Sequence, residues 1–276
     1  MRFEIVTIFP GFFAGFLENG ILRRALAEEL VTVNVHDLRA FTHDRHRTVD
    51  DRPFGGGEGM VLKAEPLAEA LASLGVKPKA ERESESGTRV ILLSAQGRRF
   101  TQTVARDLAT LNRVVLISGR YEGVDERINQ LYCDMELSIG DYVLSGGELA
   151  AAVVVDATMR LIPGVLGNEA SGEFESFGVS DSEITSDTEG VPRSQHGAGG
   201  LLDYPHYTRP AEFGGLRAPD VLMNGDHLQI RRWRREQQLR KTLTNRPDLL
   251  EGATLSAEDL RLLEAIKIEQ RQREEP

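Results

Sequence analysis

The sequence predicts an α/β fold with a parallel sheet, followed by a smaller helical domain. Strand patterns alternate with helical patterns over residues 1–167, as expected for parallel strands joined by helical crossovers. Two further helices with clear N-terminal caps are predicted within residues 201–276. The 276 residues are enough for two domains at about 150 residues each.

The first group of elements comprises two strands and two helices. A buried strand is expected at 3–9, and period-two alternation predicts a second strand at 31–38. Apolar residues at helical spacing predict one helix over 12–30 and another around 65–74. The charged residues 75–88 contain few apolar side chains, so we expect a solvated linker there.

The second group of elements repeats the same alternation. Apolar runs predict strands at 90–94, 114–118 and 135–139. Helical spacing predicts a helix at 101–111 and another from about Glu148 to Ile162. These strands and helices complete the predicted α/β domain.

The composition along the chain divides it into three regions. The breaker-rich segment PGVLG ends the α/β pattern, so the first domain is assigned to residues 1–167. Residues 168–200 are acidic and glycine-rich, and we expect a disordered or mobile connector. Residues 201–276 are assigned to a helical domain, in which Asp226 caps one helix and Ser256 begins a capping box.

The charge distribution limits the classes of partner. The net charge of −10 argues against a protein that coats DNA or binds membranes through a polybasic surface. The charge is uneven, because residues 165–190 carry seven acids and no bases, whereas residues 221–250 carry seven bases and three acids. RNA binding through this basic segment therefore remains open.

Cysteine content and hydropathy point to a cytoplasmic protein. Cys133 is the only cysteine and has no internal disulfide partner. The N-terminal stretch contains Glu4 and lacks a small-residue cleavage site, so it does not resemble a signal peptide. The longest apolar run is far below the roughly 20 residues that a membrane helix needs. We therefore expect no membrane partner.

Three glycine- and serine-rich loops follow predicted strands and should converge at one edge of the sheet. They are SAQG (94–97), SGRYEGVDER (118–127) and SIGDYVLSGGE (138–148). They lack the lysine-containing phosphate loop and the dinucleotide fingerprint. A flat ligand of low charge fits them better, such as the adenine and sulfonium of S-adenosylmethionine, with Glu122 and Asp141 facing the positive charge. Ordinary tight turns are the alternative.

The segment THDRHRTVDDRPFGGGEGM (42–60) has two competing interpretations. Its histidines His43 and His46 and its carboxylates are residue types that bind metals, but the HExxH spacing is missing. Arginines are interleaved with them, so we favour a loop that contacts RNA or phosphate and predict no metal site. A merely solvated loop is the alternative.

Two groups of arginines are ambiguous from spacing alone. Arg160 ends an otherwise apolar helix and either pairs with Asp156 or meets negative charge in the pocket. In RRWRREQQLRK, basic side chains surround Trp233 on one helix face, which suits a nucleic-acid backbone or a solvated surface equally well.

Six segments together resemble the bacterial tRNA (guanine-N1)-methyltransferase family of the SPOUT methyltransferase superfamily. They follow the family's order over nearly the whole chain: FTHDRHRTVDDRPFGGGEGM, GRYEGVDERI, SIGDYVLSGGELA, RLIPGVLGNEAS, LLDYPHYTRP and GDHLQIRRWRREQQL. Six long motifs in one order are far more specific than a single glycine-rich loop.

The resemblance implies a fold, a reaction and partners. The α/β domain would contain a deep trefoil knot, a rare topology, and would bind S-adenosylmethionine in a bent shape. The protein would be a homodimer with active sites at the subunit interface, and its C-terminal domain would bind tRNA. The substrate would be the guanosine immediately 3′ of the anticodon, position 37 of the tRNA, methylated on N1. Use of Mg²⁺ is not decided by the sequence.

The resemblance also implies site residues. Arg160 matches the family arginine that stabilises the guanine O6. The cofactor residues would be Leu92, Ser94, Gln96, Gly97, Gly119, Tyr121, Glu122, Gly123, Ser138, Ile139, Gly140, Asp141, Tyr142, Val143, Leu144, Gly146 and Gly147. The tRNA-binding residues would be His46, Asp50, Gly59, Asp203, His206, Arg231, Arg234 and Arg235.

The sequence departs from the family pattern at the general base. The family has aspartate before Ser-Phe, whereas this chain has Glu175 before Ser176 and Phe177. About twenty inserted residues, 178–198, bring a rival carboxylate, Asp181. We expect Glu175 to take the N1 proton and Arg160 to polarise the guanine. The alternatives are a catalytically impaired RNA-binding relative and a SPOUT methyltransferase that acts on another RNA.

Overall fold

The computed structural model of the protein describes residues 1–82, 87–167, 175–178 and 198–274. The chain divides into two units, Met1–Gly167 and Asn168–Pro276. This division falls where the α/β pattern of the sequence ends. Most of the expected connector, including Asp181, lies outside the described residues.

The first unit is built on a sheet of five parallel strands. These are β1 (Arg2–Thr7), β2 (Thr32–Asp37), β5 (Thr88–Arg99), β6 (Arg113–Ser118) and β7 (Met135–Ser138). Their spatial order is β2-β1-β6-β5-β7, and every neighbouring pair is parallel. A short antiparallel hairpin, β3 (Asp50–Asp51) with β4 (Val61–Leu62), lies outside this sheet.

Helices connect the parallel strands. The first unit contains α1 (Ala14–Leu17), α2 (Gly20–Ala27), α3 (Ala64–Ser73), α4 (Gln102–Ala109), α5 (Glu126–Tyr132) and α6 (Glu148–Met159). They connect the strands as the predicted crossovers do, so the α/β class and the parallel sheet are confirmed.

Alternate side chains of the strands supply two hydrophobic cores, because successive residues point to opposite faces. Phe3, Ile5 and Leu116 lie in the core that also contains α6 residues. Val6 and Ile117 lie in the opposite core, which contains α3 residues. Both faces of the sheet are thus covered, which explains the apolar runs at residues 90–93 of β5 and 114–117 of β6.

Two helical predictions need correction. The single helix expected over 12–30 is divided, because Asn19 is extended and Gly20 has a φ of 64° in the left-handed region. Helix α5 was not predicted, and its first two residues were placed in the loop 118–127, although Asp125 supplies an N-cap by accepting a hydrogen bond from the Arg127 backbone N–H.

The expected solvated linker is partly anchored. Residues Lys79–Glu81 form a 3₁₀ helix, and Arg82 donates to both carboxylate oxygens of Asp134 at 2.9 Å. Residues 83–86 lie outside the described part of the chain. The beginning of β5 is therefore tied to the segment that precedes β7.

The second unit is mainly helical. It contains α7 (His227–Asn245), α8 (Asp248–Glu251), α9 (Ala257–Glu274) and a hairpin of β8 (Glu212–Phe213) with β9 (Leu216–Arg217). The predicted caps are present: Asp226 accepts from two backbone N–H groups, and Ser256 and Asp259 bond reciprocally. Leu201, Leu239 and Ile266 form its core.

Across the described residues, no helix combines the length and apolarity needed to cross a bilayer.

The only cysteine is expected to be unreactive in the folded protein. Burial raises the pKa of the Cys133 thiol to about 12. Since the thiolate is the nucleophile, alkylation by iodoacetamide at pH 8 should be at least about 100-fold slower than for free cysteine. Mass spectrometry of timed samples measures this rate. Guanidinium should restore normal reactivity, and rapid labelling without denaturant would contradict the prediction.

Candidate active site

Three segments converge on one cavity at the carboxyl edge of the sheet. The cavity has a volume of about 320 Å³ and is formed by residues 92–96 of β5 and by the segments around the ends of β6 and β7. The three glycine- and serine-rich segments expected from the sequence meet here, but SAQG is not a loop after a strand. It lies within β5, where the pairing with β7 shifts register between Leu93 and Arg98. The convergence of the three segments follows from the parallel order of the three strands.

All but two of the cofactor residues expected from the sequence line this cavity. They are Leu92, Ser94, Gln96, Gly119, Tyr121, Glu122, Gly123, Ser138, Ile139, Gly140, Tyr142, Val143, Leu144, Gly146 and Gly147. The two exceptions are Gly97, which packs against β7, and Asp141, whose carboxylate pairs with exposed Arg99. Asp141 is therefore not placed to face a positive ligand in the cavity.

Two glycines allow the backbones of these loops to approach one another. A Cβ on Gly97 would lie 2.5 Å from the backbone of Glu136 and Leu137. A Cβ on Gly147 would lie 2.7 Å from the Cα of Ser118. Because real side chains do not occupy such positions, glycine is required at both points.

The loops are held by a buried ion pair that the sequence analysis missed. Glu148 is 1% exposed at the start of α6. One of its carboxylate oxygens accepts from the Thr7 hydroxyl at 2.7 Å, and the other accepts from Arg120 Nε at 3.0 Å. Arg120 also donates to the Ser145 carbonyl and lies over the Phe9 ring. The ends of β1 and β6 are thereby joined to α6.

Acidic side chains give one part of the cavity a negative charge. Glu122, Glu126 and Glu136 contribute to its lining. The Asn129 side-chain amide donates to Glu126 at 3.2 Å and to Glu136 at 3.4 Å. Arg120 also lines the cavity, but its guanidinium is paired with Glu148. A cationic group on the ligand is therefore favoured there.

The segment 42–60 lies beside the cavity loops. Asp44 fixes its first turn, because the Thr48 hydroxyl and backbone N–H both donate to the carboxylate. These bonds hold the pKa of Asp44 below its usual value. His43 bonds to Glu69 at 2.8 Å, and His46 is exposed. In the part of the chain that the structure describes, no three His, Cys, Asp or Glu side chains form a cluster that could hold a metal.

The two residues expected to act on guanine lie in different units. Arg160 follows α6 and is half-buried in the first unit. Glu175 begins a turn in the second unit, closed by a bond from the Gly178 N–H to the Glu175 carbonyl. The Phe177 N–H donates to the Leu201 carbonyl, and the Asp203 N–H donates to the Ser176 hydroxyl. These bonds tie the turn to the segment that begins LLDY.

The basic helix face differs from the expected one. Arg231 and Arg234 are exposed, as is Arg232, and Arg234 lies over the Tyr204 ring. Arg235 instead makes a two-pronged bond to Asp259. The side chain of Arg235 is only 12% exposed, so it does not share the exposed basic surface.

The structure shows the surroundings of Arg235, His206 and Asp50, three residues expected to bind tRNA. Burial by itself would raise the pKa of Asp259, but its bonds with Arg235 and Ser256 lower it overall. This supports a structural role for the arginine. His206 Nε2 lies 3.0 Å from a carboxylate oxygen of Asp203, three residues earlier in the chain. Asp50 forms part of β3, in the hairpin that precedes α3.

The sequence contained partial signals for the missed residues. Glu148 was predicted as the end of a glycine-rich loop and the start of a helix but not as a paired residue, and its partner Thr7 lies far away in the chain. Glu136 was placed in a strand and not in a site. Their roles arise from the order of strands in space, which no local pattern of residues reveals.

Comparison with known proteins gives consistent matches over nearly the whole chain. The family model described as tRNA (Guanine-1)-methyltransferase TrmD matches residues 1–252. The tRNA (guanine-N(1)-)-methyltransferase of Koribacter versatilis is 56% identical over 267 residues, covering 97% of this chain and 98% of the relative. Relatives with the same name from Geobacter metallireducens and Dictyoglomus turgidum are each 48% identical, covering 95% and 99% of this chain and 96% and 99% of their own lengths.

Loss of the buried carboxylate should strongly destabilise the first unit. Glu148→Ala leaves the partly buried Arg120 without its partner, and we expect a loss of about 3–5 kcal/mol in the free energy of unfolding. Urea denaturation measures this loss. Glu69→Ala is the control, because its pair with His43 is exposed and should contribute less than about 1 kcal/mol. Similar small effects for both variants would contradict the assigned role.

Proposed function

The chain belongs to the tRNA (guanine-1)-methyltransferase family, and we propose that it methylates N1 of the guanosine immediately 3′ of the anticodon, at tRNA position 37. The methyl donor is S-adenosylmethionine. The observation that carries this proposal is the three-loop cavity, because its lining suits that donor. We assign the enzyme to the cytoplasm, where tRNA is processed.

The lining of the cavity matches the parts of S-adenosylmethionine. Apolar Ile139 and Leu144 suit the faces of an adenine ring, and the backbone groups of the loops suit its edges. Glu122 and the other carboxylates suit the positive sulfonium and ammonium groups. The bound donor supplies a methyl group that is activated by the positive sulfur.

The reaction requires a base at N1 and a positive partner at O6. Guanine N1 carries a proton and is a poor nucleophile near neutral pH, so removal of that proton makes the nitrogen reactive. We propose that the carboxylate of Glu175 accepts this proton as N1 forms its bond to the methyl carbon and the carbon–sulfur bond breaks. We propose that Arg160 stabilises the negative charge that develops on O6.

The geometry of the Glu175 turn supports this assignment. Glutamate has the same carboxylate as aspartate on one more methylene, so its backbone must be placed differently to bring the oxygens to the same point. The hydrogen bonds of Ser176 and Phe177 to the 201–203 segment fix that backbone. Reaction rates are sensitive to misplacement on the scale of 1 Å.

We propose that the first unit contains the trefoil knot implied by the family. Leu137 of β7 is in register with both Leu93 and Arg98, so β5 changes register around β7. The chain after β7 then returns to the end of β6, where the Gly147 N–H donates to the Gly119 carbonyl at 2.8 Å. The register shift of β5 and the return of the chain to β6 support a knotted path.

We propose a homodimer with active sites at the subunit interface. The support is an apolar surface on the first unit that includes exposed Leu149 and Val153 of α6 and exposed Val143. Phe9 and Phe12 are also exposed. Leu149 and Val153 lie one turn apart on α6, and exposed apolar side chains of this kind are typical of protein interfaces. Val143 lines the cavity and Leu149 adjoins Ala150, which also lines it, so this surface suits a shared site.

We propose that the second unit binds the tRNA backbone. Arg231, Arg232 and Arg234 are exposed together near the start of α7. Tyr207 and Trp233 lie beside them, with ring centroids 6.2 Å apart. Arginines interleaved with aromatic rings bind phosphates and stack on bases. We also assign His46, Asp50, Gly59, Asp203 and His206 to tRNA contacts.

The substrate and its position are tested by methyl transfer to two tRNA transcripts. They differ only by G or A immediately 3′ of the anticodon, and labelled S-adenosylmethionine supplies the methyl group. We expect label on the G transcript alone. Label on neither transcript, despite measurable binding of the cofactor and tRNA, would instead favour a catalytically impaired RNA-binding relative.

The base is tested by Glu175→Gln. The amide keeps the shape of the side chain but does not take the N1 proton, so single-turnover methylation should fall by about 10²–10⁴-fold. Glu175→Asp should retain more activity, because it keeps the carboxylate. Unchanged binding of cofactor and tRNA would show that the variant is folded. Normal methylation by Glu175→Gln would exclude Glu175, and Asp181→Asn would be the next variant to measure.

A further inference from the structure

Gly59 lies directly against the side chain of Glu122, one of the carboxylates that line the cavity. A Cβ on Gly59 would be 2.4 Å from Glu122 Oε1 and 2.6 Å from its Cγ. Atoms do not approach so closely without displacement. The present position of the Glu122 carboxylate therefore requires a residue without a side chain at position 59.

Backbone hydrogen bonds hold these two segments together. The Glu122 N–H donates to the Met60 carbonyl, and the Leu62 N–H donates to the Gly123 carbonyl, both at 3.0 Å. The Asp125 N–H donates to the Leu62 carbonyl at 2.9 Å. The glycine-rich segment and the loop after β6 thus form one ladder, and the backbone of Gly59 has a fixed position relative to Glu122.

We propose that Gly59 is a positioning residue for Glu122, whose carboxylate it directs towards the cationic part of S-adenosylmethionine. This inference rests on the proposed function, because it takes the cavity as the cofactor site. It adds a role in cofactor binding to a residue that the sequence assigns to tRNA. An alanine at position 59 displaces the flexible Glu122 side chain from its Cγ outwards and meets no backbone atom among its nearest contacts, so the carboxylate moves and the fold remains.

The test is the affinity for S-adenosylmethionine in the absence of tRNA. Equilibrium dialysis with the labelled cofactor compares the wild-type protein with Gly59→Ala. We expect about tenfold weaker binding, the size of effect that accompanies loss of a hydrogen bond to a charged group. Thermal unfolding of the two proteins checks that the variant is folded.

Gly56→Ala is the matched control. Gly56 has a φ of 77° and Gly59 a φ of 82°, so alanine introduces similar backbone strain at both positions. No atom lies within 4 Å of a Cβ placed on Gly56. We therefore expect Gly56→Ala to bind the cofactor like the wild-type protein. Equal weakening by both variants would attribute the effect to strain and overturn the proposal.

A double-mutant cycle isolates the contact. Glu122→Ala removes the carboxylate and should itself weaken binding, and Gly59→Ala should cause no further loss in that background. The same loss with and without the Glu122 side chain would overturn the proposal, as would wild-type affinity in Gly59→Ala. A wild-type protein that does not bind S-adenosylmethionine would instead contradict the proposed function itself.

Discussion

The cavity depends on the buried ion pair between Glu148 and Arg120. A carboxylate removed from water costs several kcal/mol unless its oxygens are bonded. Here Thr7 satisfies one oxygen and Arg120 the other. Those partners come together only when the ends of β1 and β6 lie beside the first turn of α6. Other arrangements of the strand ends would leave Glu148 unpaired, so the arrangement that pairs it is the most stable one. The loops that continue from these strand ends are thereby held in the shape of the cavity.

Around this ion pair, the cavity lining includes five glycines, which leave their backbone groups open to a ligand. Gly97 and Gly147 let neighbouring chain segments approach to distances that a Cβ would prevent. The one basic side chain among the residues that line the cavity, Arg120, is paired with Glu148. Such a wall suits a flat ligand of low charge, and Glu122 adds a negative charge that favours a cationic group on that ligand. The absence of a lysine-containing phosphate loop from the sequence is consistent with this chemistry.

The sequence predicted the sheet well because its central strands, covered on both faces, contain apolar runs, as residues 114–117 of β6 illustrate. It failed where local geometry overrides periodicity, as at Gly20, whose left-handed backbone divides a helix. The three cavity segments were identified because each follows an apolar strand pattern in the sequence, although SAQG lies within β5. The role of Glu148 was not, since its partners are distant in sequence. Arg235 fits the basic face by spacing, but its pairing with Asp259 depends on where α9 packs.

Charge pairing within the second unit limits its exposed basic surface to a small group of arginines. Residues 221–250 contain seven bases, but that number overstates the charge available to a polyanion. Arg235, Arg240 and Arg246 bond to carboxylates of the same unit. The exposed arginines near the start of α7 remain grouped beside aromatic rings. Because exposed charges act mainly within about 10 Å at moderate salt, this local group determines attraction for phosphate more than the net charge of −10 does.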